Sequence, residues 1–120
     1  MLKINLFGKE LECQKAKYQD NNRLAVILVD PKTKELYTFI TVNLPDALLF
    51  GELVDIENNY ESFIDHQPGK NYQQFIQELI NTNIVDDEVV SEGHSGFNHY
   101  IALRFKDECV NQMDESCWYA

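Results

Sequence analysis

Basic residues become scarce after the opening of this chain. Residues 46–120 hold three Lys/Arg against fifteen Asp/Glu, whereas residues 1–45 hold seven against five. Regional charges of −12 and +2 make up the net −10, so the acidity belongs to the C-terminal part. A surface of that sign repels nucleic acid and anionic membrane, and attracts basic protein grooves, including those that hold phosphate backbone.

Cysteine is also sparse. Cys13, Cys109 and Cys117 are odd in number and form no C-x-x-C pair, which fits reduced thiols better than a disulfide framework. The alternative is a Cys109 to Cys117 bridge closing a short loop; Cys13 reads as core. No apolar run reaches the length of a signal h-region or a membrane span. The expectation is a cytoplasmic protein, neither exported nor inserted.

Motifs of chemistry are missing as well. There is no G-x-S-x-G, no recognised Cys-His context and no phosphate-cradling glycine loop, so the chain is expected to be neither an enzyme nor a cofactor carrier. His94 and His99 flank a loop that follows Asp86-Asp87-Glu88. Yet His-x4-His is not a usual ligand spacing and no fourth ligand is nominated, so no metal site is expected.

What is present suits one folded domain: 120 residues with 44% hydrophobic content can bury most of a core without metal or disulfide support. Alternation over Lys3–Phe7, a tight turn at Gly8-Lys9 and a second strand over Glu10–Tyr18 predict a hairpin. Leu11 and Cys13 differ in parity from Ala16 and Tyr18, which predicts a bulge near Gln14 and Lys15 or a change of face. Leu24–Val29 is apolar without alternation, as a strand covered on both faces requires. Asp30–Lys34 reads as a hairpin loop, and Leu36–Leu44 as one returning strand ended by Pro45.

Beyond Pro45 the pattern loosens. Ala47–Gly51 reads as an apolar connector and Leu53–Ile56 as a short strand; Tyr60, Phe63 and Ile64 have helical spacing. The clearest helix is Tyr72–Asn81, with Asn71 as N-cap, Gln74 in the capping-box place, and Tyr72, Phe75, Ile76, Leu79 and Ile80 on one stripe. Val89-Val90 and Tyr100–Phe105 read as final strands around a loop over Glu92–Phe97. The expected fold is α+β, an antiparallel sheet of five or six strands with one main helix on a face. A single domain spans 1–106, and 107–120 is a polar tail docked, if at all, through Trp118 and Tyr119.

The candidate partner-binding residues are the carboxylates Asp46, Glu52, Asp55, Glu57, Glu61 and Asp65, with Asp86, Asp87, Glu88 and Glu92. Duplex DNA carries about one charge per 1.7 Å of axis, and a row of fixed carboxylates can occupy the same cationic channel. The bland alternative is that these acids only solubilise the protein. Direct nucleic-acid binding by the lysines and tyrosines of the β region is disfavoured by interspersed acids and a repulsive overall potential. A rival reading is an interaction module anchored by apolar contacts, using the Ser95 loop, Trp118 and Tyr119. The edge of so small a sheet leaves room for a homodimer, which no residue pattern demands.

The blocks Ile4-Asn5-Leu6-Phe7-Gly8-Lys9-Glu10, Leu24-Ala25-Val26, Thr41-Val42-Asn43-Leu44-Pro45 and Ser95-Gly96-Phe97, followed by Tyr100 and Arg104-Phe105, resemble a bacterial domain-of-unknown-function family, number 4313, across residues 3–106. The region of the Asn71 helix and the tail from Cys109 to Ala120 depart from its pattern. The resemblance implies a small accessory protein of a mobile element and no catalytic residues. Such cargo includes inhibitors of host defence, among them anti-restriction and anti-CRISPR proteins, so the resemblance favours the mimic reading.

Overall fold

A two-residue turn opens the chain: β1 (Leu2–Leu6) pairs antiparallel with β2 (Lys9–Lys17), with Leu6 opposite Lys9. The turn residues are Phe7-Gly8 rather than Gly8-Lys9. Both have positive φ, 55° and 73°, as a type I′ turn demands. Glycine takes that conformation freely, while Phe7 carries the strain of a side chain in the left-handed region. Its ring stacks on Phe75 at 5.7 Å, so packing offsets the cost.

The computed structural model describes residues 1–19, 22–44, 49–50 and 60–116. β3 (Leu24–Val29) pairs with β2 and is buried along its whole length, as its unbroken apolar run predicts. No bulge interrupts β2, which runs in register with β3 from Glu12 to Lys17. Leu11, Glu12, Cys13 and Gln14 are all buried, so both parities are covered and the mixed pattern needs no change of face. The irregularity lies instead between Leu28 and Val29, opposite β4 (Leu36–Phe39). Between β3 and β4, Asp30 accepts the amides of Lys32 and Thr33, which fixes the loop.

The expected strand over Leu36–Leu44 is broken into two. Ile40 donates its amide to the Val26 carbonyl and accepts from the Asp65 amide, so one fully buried residue joins one sheet to another. The first sheet, in the order β1-β2-β3-β4, adds β10 (Asp114–Glu115), which runs parallel to β2 beyond the end of β1. β4 is an edge, yet Gln67 donates to the Phe39 carbonyl and accepts from the Thr38 hydroxyl, which consumes part of it. The second sheet runs β5-β7-β9-β8-β6. It contains β5 (Thr41–Val42), β6 (Leu49–Phe50), β7 (Glu61–Ile64), β8 (Ser91–Ser95) and β9 (Asn98–Arg104).

Four sequence expectations fail in and beside this second sheet. Phe63 and Ile64 belong to a strand rather than a helical turn, with Tyr60 in the turn before it at φ 56°: all four residues of β7 are buried, and a doubly covered strand has no period by which to be recognised. Glu92–Phe97 is a tight hairpin rather than a loop, with Ser95 opposite Asn98 and Gly96 at φ 62°, as a type II′ turn requires. Val89-Val90, expected as a strand, forms none and precedes β8, with the Val90 amide donating to the Ala102 carbonyl. Leu49-Phe50, placed in an apolar connector, pairs with β8. The strand expected over Leu53–Ile56, and the anchors Trp118 and Tyr119, lie outside the described residues.

The main helix, α1 (Tyr72–Asn81), is as predicted. Asn71 accepts the Gln74 amide at 3.1 Å as N-cap, and Phe75, Ile76 and Leu79 face the core. There they meet Ile4, Leu6 and Leu28 of the first sheet together with Ile64 and Leu103 of the second and Phe105 just after β9. Each such side chain contributes about 1.5–3 kcal/mol on burial. The α+β class with one main helix stands, its strands divided between two five-stranded sheets. Residues 107–116 take part in this fold: after the short α2 (Asp107–Val110), Val110 and Met113 are buried in the same core. Among the described residues no helix is long and apolar enough to cross a membrane.

Candidate functional site

The antiparallel ladder brings distant carboxylates to one end of β9. The Asp86 amide donates to the Arg104 carbonyl and the Lys106 amide to the Ile84 carbonyl, which holds the 84–88 segment beside the start of α2. Arg104 reaches both: its guanidinium lies 2.7 Å from Asp107 and 3.6 Å from Asp86. Asp87, Glu88 and Glu108, next to those two acids in sequence, are exposed. Asp86, Asp87, Glu88, Asp107 and Glu108 with Arg104 and Lys106 give these two segments a summed charge of −3. These ion pairs are solvent-exposed and contribute little stability, about 0–1 kcal/mol each. Their effect is positional, since Arg104 fixes two of the acids.

The remaining predicted carboxylates do not join this patch. Asp46, Glu52, Asp55 and Glu57 lie outside the described residues. Glu61 is a correction: in β7 it is 6% exposed and shares a sheet face with Phe63, over which the buried Arg23 guanidinium sits at 5.7 Å. An interior carboxylate cannot belong to a docking surface. Asp65 is half-buried at the end of β7, where desolvation raises its pKa above the ordinary carboxylate value while the His66 amide, donating at 2.8 Å, opposes the rise. Glu92 lies on β8, its carboxylate 3.5 Å from the His99 ring.

Asp107 and Glu108 were missed because they fell in the segment read as a tail. A signal was there: acids in the first turn complement the helix dipole, and Lys106-Asp107-Glu108 has that composition. The tip of the β8–β9 hairpin carries a second feature. Phe97 is fully exposed there (107%), on a turn that neither sheet covers.

Behind that hairpin sits a polar network. The Tyr72 hydroxyl donates to the Ile64 carbonyl at 2.6 Å and accepts the Ile101 amide at 3.0 Å, at the place where the next rung of the β7–β9 ladder would fall. Burial pushes its pKa up to about 12, so it stays a donor throughout the ordinary range. His66 stacks on Tyr72 at 4.0 Å and bonds the His99 carbonyl at 2.8 Å. Each of these hydrogen bonds ends on the backbone, so the network positions β9. The thiol of Cys13 is likewise withdrawn, its pKa raised to about 12 by burial.

A cavity of about 440 Å³ lies between the β1–β2 turn and the end of α1, lined by Asn5, Phe7, Lys70, Glu78, Asn81 and Thr82 among others. No predicted site residue reaches it. No family model, curated protein or solved structure matches this chain. What the surface can do is therefore read from its own charges and shape.

Proposed function

We propose that the protein is a non-enzymatic binding module that docks a basic protein surface through the carboxylates at the 86–88 turn and the start of α2. The observation that carries this reading is the Arg104 hub, which holds Asp86 and Asp107 together and leaves Asp87, Glu88 and Glu108 turned to solvent. Asp86 and Asp107, held by Arg104, lose little side-chain freedom on docking, and the field of the exposed Asp87, Glu88 and Glu108 beside them in sequence steers a cationic partner. Binding then weakens as salt rises. The sharper form is occupation of a channel that otherwise holds a phosphate backbone, as an inhibitor of host defence would do. The placement of Glu61 in the interior shortens the carboxylate row that this form calls on.

The test is capture from a bacterial lysate at low and high salt, with the captured protein identified and its affinity measured. Changing Asp87, Glu88 and Glu108 together to Lys should abolish capture, and duplex DNA should displace the partner if its surface holds phosphate. Capture that survives the triple reversal and high salt would sink the proposal. A second reading is favoured by the full exposure of Phe97, an anchor for an apolar pocket. In that case Phe97→Ala, rather than charge reversal, removes the partner.

A further inference from the structure

The β8–β9 hairpin changes the meaning of the two histidines that the sequence spacing set aside. With a two-residue turn between the strands, His-x4-His places His94 directly opposite His99 in register. Their ring centroids are 5.0 Å apart at an interplanar angle of 51°. Two imidazoles on one cation, each with a metal–nitrogen bond of about 2.0–2.1 Å, have ring centres roughly 5 Å apart at a tetrahedral angle. We propose that His94 and His99 form a bidentate imidazole site for a borderline divalent transition-metal cation.

Three features of the hairpin support the pair. Gly96 at positive φ closes the turn tightly and holds the two strands in register. The His99 carbonyl is fixed from behind by the His66 ring, which limits how far the strand moves when the site fills. Glu92 stands on the same face two residues before His94, its Oε1 3.5 Å from His99 Nε2. That is the carboxylate–imidazole relation by which a neighbour orients a ligating ring and raises its basicity. Among the described residues no group of three or more His, Cys, Asp or Glu could hold a metal ion. The site is therefore a two-ligand one, its other positions open to water or to a side chain of a bound partner.

The ligand class follows from the donors. Imidazole nitrogen suits Cu2+, Ni2+ and Zn2+, with Cu2+ the tightest of the series, and gives no advantage to the oxygen-seeking Mg2+ and Ca2+. Titration of the full chain with Zn2+ and then Cu2+, followed by calorimetry and by amide chemical shifts for the diamagnetic zinc, tests this. One saturable site is expected, with shifts centred on 92–99. His94→Ala and His99→Ala should each weaken binding by about tenfold or more, and Mg2+ should not compete. Both substitutions are on the surface, and far-UV circular dichroism checks that the fold is kept. Retention of zinc affinity in the double alanine variant overturns the site. Its transfer to the thiols, seen as loss in a Cys109→Ser/Cys117→Ser variant alone, does the same.

Discussion

Among the described residues the two sheets have five strands each, yet they are assembled on different principles. In the first, β1 to β4 lie side by side in chain order and each joins the next through a short hairpin turn or loop. In the second, order and chain sequence part company: Thr41 pairs with Ile64, Glu61 with Arg104, and Leu49 with Gly93. Loop closure must be met before such contacts reward it, so the second sheet depends on partners that only the assembled core brings near. The first sheet presents the strand patterns of a hairpin protein. The second carries the surfaces on which the functional proposals rest, since both the Arg104 hub and the Phe97 turn are built on β9.

That contrast can be tested where it is sharpest. Phe63→Ala, in the small cluster that Phe63 forms with Leu44, Tyr100 and Ala102, should cost about 3–5 kcal/mol, and Leu28→Ala in the main core about 2–5 kcal/mol. If Ile40 couples the sheets into one cooperative unit, hydrogen exchange will show both variants lowering amide protection in both sheets. Loss of protection confined to the second sheet in Phe63→Ala would mean that the sheets unfold separately.

Tyr72→Phe is a smaller and more local break. It removes the hydroxyl between Ile64 and Ile101 and leaves a carbonyl and an amide without their partner, a cost of about 1–3 kcal/mol. Thermal unfolding should register the loss, and amide exchange should rise first at Ile101. An unchanged melting temperature would show that the hydroxyl is replaceable by water.

The smallest expected effect is at Asp65. Its pKa is raised in the folded state, so the native protein holds that proton at a higher pH than the unfolded chain does. The favourable contribution is complete below the unfolded value and is lost as pH climbs through the carboxylate range. Asp65→Asn should therefore be slightly more stable than the parent at neutral pH and converge with it in acid. Melting curves between about pH 3 and pH 7 check this, and a gap that widens toward acid would reverse the sign.

How much of this was legible follows the same division. The Asn71 cap, the apolar stripe of α1 and the unbroken run of β3 are local signals, each contained in about ten residues. β7 was illegible because Glu61 and Ser62 are buried with Phe63 and Ile64, so polarity gave no clue to its faces. β8 reads as a loop because its Ser, Glu, Gly, His and Ser have low strand propensity and are held by pairing with β9, whose residues from Tyr100 onward already read as a strand. Of the candidate carboxylates, Asp86, Asp87 and Glu88 stand out by charge alone, while Asp107 and Glu108 need the backbone pairing of the 84–86 segment with Arg104 and Lys106 that brings the start of α2 near.

Residue order alone determined the sign of the surface, the doubly buried strand, the main helix with its cap and the α+β class, because each is a property of composition or short-range periodicity. Tertiary structure decided that Ile40 divides one strand between two sheets, that Glu61 lies inside, that Arg104 gathers acids from two segments, and that His94 faces His99. These are pairings between residues distant in the chain or across a turn whose length had to be known. Coulombic and hydrogen-bonding energies depend on separation in space, which the chain acquires only when it folds.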